Sequence, residues 1–495
     1  MVAAWVENEF HTLDLGDKRR DRRVKTIVDQ FAQVAESTPD ACRGVAALEA
    51  TYRIANNRAV SPDDILKAHH QASIERTAEH ACVILAQDTT PIDMTKPKRQ
   101  VTGAGPMEHE DHRGVFFHPL YAISEEGIPL GIVDHLTWAR ESIRTDLSAA
   151  EKQRLRKMMA FEEKESSRWV EMLQSGEQIA RANPQTMYVN VSDSEADIFE
   201  LFLETRDMAP NHHFIVRGCQ DRALAASTDE DDEDDDESGE RSTTTRHIDD
   251  ALAAAEIRYE ATIKVSGRES LIAGETRPRR KSRAARTAKI EIRAATVTLR
   301  GPQRPGGKLD DVTINVVEVR EVNPPAGEDP IRWTLLTSLP IETVEQIKRV
   351  VKIYCLRWMV ELFFKTLKSG CRVEKLKYEH VDSYLTAVSM LIVVAWRIEY
   401  LKSAAREDPD ASCEKYFSMS EWVPVYLVQQ KAKKIPSTPP TISEFMLIVA
   451  KLGGYINRKG QGPPGSMTMW RGMRRMDTLV EAYSVFGGAE KRCVV

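Results

Sequence analysis

Residues 82–90 read Cys-Val-Ile-Leu-Ala-Gln-Asp-Thr-Thr, an apolar run that ends at an acid. A continuous apolar run of this length, bounded by polar residues, predicts a buried β-strand. Residues 188–193 read Tyr-Val-Asn-Val-Ser-Asp and repeat the arrangement, so Asp88 and Asp193 each follow a short strand. In open α/β sheets, ligand and catalytic sites collect at the carboxyl ends of the strands. We therefore expect the two aspartates to converge at one edge of a sheet.

The segments around these strands alternate between strand and helix patterns. In chain order, residues 115–133 predict a hairpin with a turn at 125–127, and a long amphipathic helix follows at about 148–182. A second helix is predicted at 196–203 and a further strand at 213–217. Further strands predict an inserted antiparallel sheet, at 258–265, 289–299, 312–322 and 332–337. The chain reads as helical up to about residue 75 and again from about 340 to 405. The fold class predicted from this order is α/β.

Composition narrows the class of protein. The chain has 495 residues, of which 42% are hydrophobic and 29% are charged, which predicts a soluble globular protein of two or three domains. The longest apolar stretch, 385–396, is too short to span a bilayer and predicts a core helix, and residues 1–9 lack the apolar run of a signal peptide. Seven cysteines without a Cys-x-x-Cys pair argue against a disulfide framework or a structural zinc site. A reducing cytosol fits this cysteine usage.

The net charge of −6 conceals an uneven distribution. The unbroken acidic run 229–237 predicts a solvated or disordered loop, and the remainder of the chain is net basic. Basic residues concentrate at 17–25 and at 277–293, which is the pattern expected of a protein that neutralises phosphates. Either cluster taken alone is also compatible with an ordinary solvated basic face.

Residues 354–368 read Tyr-Cys-Leu-Arg-Trp-Met-Val-Glu-Leu-Phe-Phe-Lys-Thr-Leu-Lys. On a continuous α-helix, five polar side chains fall within about 80° of one another, those of Tyr354, Arg357, Glu361, Lys365 and Lys368. Nearly all of the remaining surface is apolar, which predicts a buried helix with one polar stripe. Buried polar groups need partners. One interpretation is an internal salt-bridge network of Arg357, Glu361 and Lys365. The other is a site in which Glu361 binds a metal ion and the basic residues hold the DNA backbone.

Three separated carboxylates suit phosphodiester chemistry. Magnesium prefers oxygen ligands and keeps several waters, which leaves room for a substrate phosphate. Two such ions about 4 Å apart activate the attacking oxygen and stabilise the leaving one. Two strand-end aspartates and a helical glutamate would provide this site, although single acids after strands are common.

The spacing Tyr354-x2-Arg357-x3-Glu361-x6-Lys368 matches the Tyr-Arg-Glu-Lys signature of the insertion-sequence-four family of DDE transposases, which includes the Tn-five transposase. Residues 87–90 resemble the family's first catalytic aspartate segment, and residues 192–198 resemble its second. Further matches in the same order extend the resemblance over nearly the whole chain, at 15–17, 19–20, 52–53, 323–325, 333–338, 452–455 and 470–472. The acidic run 229–237 is not part of the family pattern.

The resemblance implies an RNase-H-like catalytic core with an inserted antiparallel β-sheet, flanked by helical N- and C-terminal domains. The DNA-binding domain would span 1–75, the catalytic domain 76–375 with the β insertion at about 220–338, and the dimerisation domain 376–495. By position, Asp88, Asp193 and Glu361 would be the catalytic triad and the metal ligands.

The resemblance also implies DNA contacts. Tyr354, Arg357 and Lys368 would contact phosphates near the cleaved end, and Trp333 would stack on a flipped base, unless it is an ordinary core tryptophan. The full set of predicted DNA-binding residues is Tyr354, Arg357, Lys368, Trp333, Arg217, Arg19, Arg20, Arg22, Arg23 and Lys25.

The expected function is cut-and-paste DNA transposition. The enzyme would bind transposon ends as a homodimer, nick the 3′ strand, pass through a hairpin, and join the 3′ ends to target DNA. Two Mg²⁺ ions per active site are expected, with Mn²⁺ substituting. The expected location is the bacterial cytoplasm, on the nucleoid when bound to DNA, without membrane association. Alternatives are a structure-specific nuclease without strand transfer and a catalytically silent, transposase-derived DNA-binding regulator.

Overall fold

The computed structural model describes residues 2–33, 44–96, 100–108, 111–141, 148–225, 245–267, 283–458 and 462–486. The chain divides into two compact units. The first unit comprises Met1–Ala149, Gln178–Tyr188 and Leu356–Val495, and the second comprises Ala150–Glu177 and Val189–Cys355. The acidic run 229–237 and the first part of the basic cluster 277–293 lie outside the described residues.

The α-helices within the described residues are numbered in chain order. They are α1 Ala4–Glu9, α2 Lys18–Gln33, α3 Val45–Ala55, α4 Pro62–Thr77, α5 Ala149–Met158, α6 Arg168–Ala182, α7 Phe199–Glu204, α8 Ile248–Ala254, α9 Val344–Leu356, α10 Trp358–Lys365, α11 Val381–Glu407, α12 Met419–Gln430, α13 Ile442–Leu452 and α14 Ser466–Phe486.

The strands are numbered in the same way. They are β1 Cys82–Gln87, β2 Thr90–Asp93, β3 Gly105–Pro106, β4 Arg113–Ser124, β5 Pro129–Trp138, β6 Met187–Ser192, β7 His212–Gly218, β8 Ile257–Val265, β9 Arg286–Leu299, β10 Gln303–Arg304, β11 Gly307–Lys308, β12 Val312–Glu321 and β13 Arg332–Thr337. The predicted mixed α/β class is confirmed.

The first unit is built around strand β4, which pairs antiparallel with β1, β2 and β5. The predicted hairpin is therefore confirmed, with its turn at Gly127, whose φ of 93° favours glycine. Helix α4 packs on β5 so closely that a Cβ atom at Gly131 would lie 1.9 Å from Ser73 Oγ. This close approach fixes the helical N-terminal region of the chain against the sheet.

Helix α11 is the core helix of the first unit. Among the described residues it alone is long and apolar enough to cross a membrane, but 83% of its most apolar window is buried inside the protein. Trp396 on this helix donates a hydrogen bond from Nε1 to the carbonyl of Pro129 on β5. The prediction of a core helix over 385–396 is therefore confirmed.

The second unit contains the predicted inserted sheet. Its strands follow the order β6, β7, β13, β12, β9, β8, and the pairs from β7 to β8 are antiparallel. Helices α6, α7 and α8 cover the sheet with aromatic and aliphatic side chains that form one buried cluster, including Trp169, Phe199, Phe202, Leu252 and Phe214. Buried and more exposed residues alternate along much of β9 and β12, which is why the sequence shows the alternation of apolar and polar residues typical of a strand.

Two helix predictions are wrong in detail. The single helix predicted over 148–182 is interrupted between α5 and α6 by turns at 159–164 and a 3₁₀ segment at Glu165–Ser167. Phe161 leaves the helical path to pack on the core cluster of the second unit. Ser166 and Ser167 directly precede α6, and serine hydroxyls favour helix starts over helix interiors. Likewise, the helix predicted over 196–203 is a 3₁₀ turn at Ser194–Ala196 followed by α7.

The stretch 354–368 is also not one continuous buried α-helix. Helix α9 ends at Leu356, α10 begins at Trp358, and a π-helical turn follows at Thr366–Gly370. In that turn the amide of Cys371 donates to the carbonyl of Thr366, five residues earlier. Because a π turn adds one residue, Lys368 departs from the straight polar stripe that ideal α-helical spacing predicts. Trp358 is 58% exposed, so the helix is buried on one side only.

Candidate active site

Asp88 lies immediately after β1, as the sequence predicts. Strand β1 is fully buried and pairs with β4 up to Gln87, which fixes the backbone just before the aspartate. One carboxylate oxygen of Asp88 accepts a hydrogen bond from the Thr89 amide at 2.8 Å, and the other accepts from Arg357 Nη1 at 2.7 Å. The Thr89 hydroxyl in turn hydrogen-bonds with Nδ1 of His118 at 2.8 Å. The Asp88 side chain is held in one orientation by these contacts.

Glu361 lies in the first turn of α10. Arg357 Nη2 is 3.7 Å from Glu361 Oε1, so the guanidinium lies between the carboxylates of Asp88 and Glu361. The neighbouring Val360, Phe363 and Phe364 are buried, which anchors this helix while the glutamate side chain remains 39% exposed. The structure therefore brings two members of the predicted triad together across 273 residues of chain.

An open cleft lies over these two carboxylates. It is lined by Asp88, Thr89, Thr90, Glu361, Phe364, Lys365, Lys368 and Ser369. Lys365 is exposed, and Lys368 is half-buried with its Nζ 3.7 Å from Glu374 Oε1. Burial lowers the pKa of Lys368, although Glu374 opposes that shift. The cleft is thus lined by two acids and two lysines.

The salt-bridge alternative for this stretch is only partly what the structure shows. Arg357 does pair with Glu361, but its shorter contact is to Asp88, and Lys365 lines the cleft. An arginine that joins acids from two separate segments is not visible in local spacing. His118 and Thr89, which position Asp88, were also missed, because a histidine in a buried strand carries no sequence signal of such a contact.

Asp193 lies in the second unit, directly after β6. It caps the 3₁₀ turn Ser194–Ala196, with its carboxylate accepting from the Glu195 amide at 2.9 Å. Asp197, four residues later, is fully buried and binds Arg222 at 2.6 Å together with two backbone amides. Asp197 is therefore structural, whereas Asp193 keeps a partly exposed carboxylate. The convergence of Asp193 with Asp88 and Glu361 stays a prediction.

Two predicted DNA-binding aromatic residues meet in the second unit. Trp333 on β13 and Tyr354 on α9 have ring centroids 5.4 Å apart in a T-shaped arrangement. Tyr354 is 6% exposed, and Trp333 is half-buried, so part of the indole surface remains available for stacking. Arg217 on β7 lies opposite Leu335 and is exposed.

The predicted basic helix forms as α2, but its charges divide into two groups. Arg19 and Arg22 are exposed. Arg20 donates to the Leu15 carbonyl, Arg23 donates to the Ala47 carbonyl, and Lys25 pairs with Glu7 at 2.7 Å. The apolar face predicted for this helix is confirmed, because Val24, Ile27, Val28 and Phe31 are buried. Arg19 also pairs with Asp17, at 3.0 Å, so Arg22 is the exposed member of the set that best suits phosphate contact.

Comparison with known families places three matches along the chain. Residues 2–60 match the family described as "Transposase DNA-binding", residues 241–396 match "Transposase DDE domain", and residues 393–487 match "Transposase Tn5 dimerisation domain". The DDE match includes Glu361 but begins after Asp88 and Asp193.

Among solved structures, the chain is similar to a piggyBac transposase in a synaptic complex with hairpin DNA, determined by cryo-electron microscopy. The identity is 9% and the TM-score is 0.30, over 95% of this chain and 76% of the other. Similarity at this level supports no conclusion about fold or activity.

Proposed function

This chain belongs to the Tn5-like DDE transposases, and from that premise we propose that it cuts its transposon out through a hairpin intermediate and joins the 3′ ends to target DNA. DNA binding and dimer formation accompany the family assignment, because separate segments match a DNA-binding and a dimerisation model. The proposed catalytic core is RNase-H-like, with Asp88, Asp193 and Glu361 as its acids. The domain limits proposed are 1–75, 76–375 and 376–495.

The residues of the cleft fit a divalent cation. Asp88 and Glu361 offer only oxygen acceptors, and a cationic guanidinium already lies between them, at 2.7 and 3.7 Å. Hard cations prefer such ligands, and DDE transposases generally use divalent metal ions. When bound, two Mg²⁺ ions, for which Mn²⁺ substitutes, would supply Lewis-acid activation of the attacking oxygen and stabilisation of the leaving one.

The basic side chains around the cleft would hold the DNA backbone. Lys365 and Lys368 line the cleft, and Arg357 can exchange a carboxylate for a phosphate because its fork of donors suits both. Thr89 and His118 would keep the Asp88 carboxylate in place during that exchange. Trp333 would stack on the base that leaves the helix when a hairpin forms, with Tyr354 supporting its ring.

The proposed reaction is a series of displacements at phosphorus. Water attacks one strand at the transposon end and releases a 3′ hydroxyl. That hydroxyl attacks the opposite strand to form a hairpin and free the flanking DNA. A second water opens the hairpin, and the 3′ hydroxyl then attacks the target strand. Each step exchanges one phosphodiester oxygen for another, so no covalent enzyme intermediate is required.

Two chains, each bound to one transposon end, would act together as a homodimer on double-stranded DNA. We propose a bacterial cytoplasmic location, on the nucleoid when the protein is bound to DNA.

The observation that carries the proposal is the pair of carboxylates, Asp88 and Glu361, bridged by Arg357 at an open, lysine-lined cleft. The test uses a labelled duplex bearing the element's terminal repeat, with and without Mg²⁺, and a plasmid target. We expect Mg²⁺-dependent nicks, hairpins and joined products from the wild type. Asp193→Asn should abolish all three, while Asp207→Asn, a change at an exposed aspartate of the second unit, should abolish none.

Each other outcome removes a defined part of the proposal. Nicks without hairpins would eliminate the hairpin step. Cleavage without joining would identify a structure-specific nuclease. Tight binding without cleavage by the wild type would identify a silent DNA-binding regulator.

A further inference from the structure

A cluster of two histidines and an aspartate lies outside the cleft, in the first unit. His70 on α4 and Asp134 and His135 on β5 offer ligand atoms that all lie within 4.8 Å of one another. It is the only such group of histidine, cysteine and acidic residues found within the described part of the chain. We propose that these three residues bind one zinc-class transition-metal ion that fastens α4 to β5.

The packing of α4 on β5 brings the three residues together. His69 Nε2 lies 3.1 Å from the amide of Ile132, and Gly131 permits the helix to approach the strand closely. The register of β5 with β4 shifts between Leu120 and Tyr121, so Val133 is an extra residue in the ladder. Bulges of this kind redirect the side chains beside them. The bulge therefore lies where it can aim both Asp134 and His135 at one point.

Two imidazole nitrogens in the cluster are buried without hydrogen-bond partners among the described residues. They are Nε2 of His70 and Nδ1 of His135, on rings whose centroids are 5.2 Å apart. A buried polar atom without a partner costs free energy, so native structures rarely keep one without a role. Burial also lowers the pKa of His70 well below its usual value, which favours the neutral ring that binds metals. These two nitrogens are therefore suited to bind a metal ion.

A further carboxylate supports His135 from the other side. Asp63 Oδ1 lies 3.5 Å from His135 Nε2, and Asp63 precedes His70 by two turns on the same face of α4. A histidine that binds a metal usually directs its second ring nitrogen to a carboxylate, which fixes the ring and its tautomer. With Nε2 directed to Asp63, the unpartnered Nδ1 of His135 is left for the ion.

The donor set selects a different metal from the one expected in the cleft. Two imidazoles and one carboxylate suit zinc and related borderline ions, whereas Asp88 and Glu361 offer oxygen alone. No cysteine takes part in this cluster, so the lack of a Cys-x-x-Cys pair in the sequence does not exclude it. Residues 2–60 match the DNA-binding family, and α4 follows directly. A metal ion bound by His70 would therefore hold the chain in place just beyond the segment that matches the DNA-binding family.

The competing explanation is simple aromatic packing. His135 also lies near the ring of Phe117, with centroids 5.7 Å apart, so the two histidines would then be neutral members of an apolar cluster. That explanation predicts no metal binding at this position.

The test is zinc content of the full-length chain after metal stripping, zinc addition and gel filtration, measured by mass spectrometry. We expect His70→Gln and His135→Gln each to lose one zinc per chain relative to wild type. Glu361→Gln and His11→Gln, a change at an exposed histidine, should retain it. Zinc should raise the Tm of the wild type by on the order of 5 °C at a hundredfold excess over Kd, and should not raise that of His70→Gln. Equal zinc content in all five proteins would overturn the proposal.

A second measurement needs no variant and so does not depend on how the variants fold. Crystals of the zinc-loaded wild type should show an anomalous peak at the zinc edge between His70 and His135. A zinc-loaded crystal with no peak there would also overturn the proposal.

Discussion

Two of the arginine–carboxylate clusters among the described residues of the first unit differ in exposure. In the sealed cluster, Arg76 binds both oxygens of Glu9 at 2.8 and 3.0 Å, and His69 Nδ1 lies 2.5 Å from the same carboxylate. In the open cluster, Arg357 lies between Asp88 and Glu361 at 2.7 and 3.7 Å. Glu9 is 3% exposed, whereas the Glu361 side chain is 39% exposed.

The same kind of ion pair stabilises the fold in the sealed cluster and leaves a carboxylate accessible in the open one. Arg76 also donates to the Leu130 carbonyl and lies 4.3 Å from the ring centre of Trp396, so the sealed cluster joins α1, α4, β5 and α11. Its carboxylate is almost inaccessible to solvent and serves to stabilise the fold. The open cluster holds its arginine by one short contact and one long one. A cation or a phosphate can therefore replace a protein partner there.

The largest expected effect is loss of catalysis on neutralising the open cluster. Glu361→Gln keeps the shape of the side chain but removes the charge proposed to hold a metal ion. We expect cleavage of end DNA to fall by roughly 10³-fold or more, equivalent to about 4 kcal/mol of barrier. The Tm should change by no more than a few degrees because the side chain is partly exposed. Retention of near-normal cleavage would remove Glu361 from the triad.

The matched change in the sealed cluster, Glu9→Gln, should lower the free energy of unfolding and leave catalysis unchanged. The substitution removes a buried charge and leaves Arg76, which is 23% exposed, without its counter-charge. Breaking a fully buried pair destabilises by about 3–5 kcal/mol, so with one partner partly exposed we expect a loss of about 2–3 kcal/mol. Urea unfolding followed by circular dichroism measures the change. Cleavage per folded molecule at low temperature should match the wild type. A loss below about 1 kcal/mol would show that the sealed cluster is not the anchor inferred from its contacts.

The same cluster predicts an acid-dependent loss of stability. Burial raises the pKa of Glu9, but Arg76 and His69 together outweigh it and lower the pKa to about 2, from the usual 4.5. Because the folded-state pKa is depressed, the stabilisation is present above pH 4.5 and is lost as the pH falls towards 2. By linkage the loss is about 3 kcal/mol. Unfolding curves from pH 6 to pH 2 should converge for wild type and Glu9→Gln, and parallel curves would contradict the assignment.

The smallest expected effect concerns the basic helix α2. Arg22 is exposed, so Arg22→Ala should reduce the slope of log K against log salt for end DNA by about 1, without loss of stability. Glu79→Ala, at an exposed residue just after α4, serves as the control and should leave the slope unchanged. Binding isotherms by fluorescence anisotropy at several salt concentrations measure both. An unchanged slope for Arg22→Ala would exclude a phosphate contact there.

Much of this architecture could be predicted from local sequence patterns. Strand β1 with Asp88, the hairpin β4–β5 and the antiparallel sheet from β7 to β8 follow from apolar runs and alternation. The family motif at 354–368 predicted Glu361 and Arg357 as site residues. These features depend on short-range periodicity or on motif spacing, which a single sequence displays.

The remainder depends on contacts between distant segments. The pairing of Arg357 with Asp88 joins residues 269 positions apart, and the cluster of His70 with Asp134 and His135 requires α4 to pack on β5. The π turn at Thr366–Gly370 and the break before α6 both interrupt helical periodicity, and at that break Phe161 packs on the core of the second unit. No local pattern specifies these events.

Binding of Mn²⁺ to the chain assembled on end DNA, followed by electron paramagnetic resonance, distinguishes the open cluster from the sealed one most directly. We expect wild type and Glu9→Gln to bind two ions per active site, and Glu361→Gln to bind fewer or to bind them much more weakly. Equal Mn²⁺ binding by wild type and Glu361→Gln would contradict the assignment of the Asp88–Arg357–Glu361 cleft as the metal centre of this transposase.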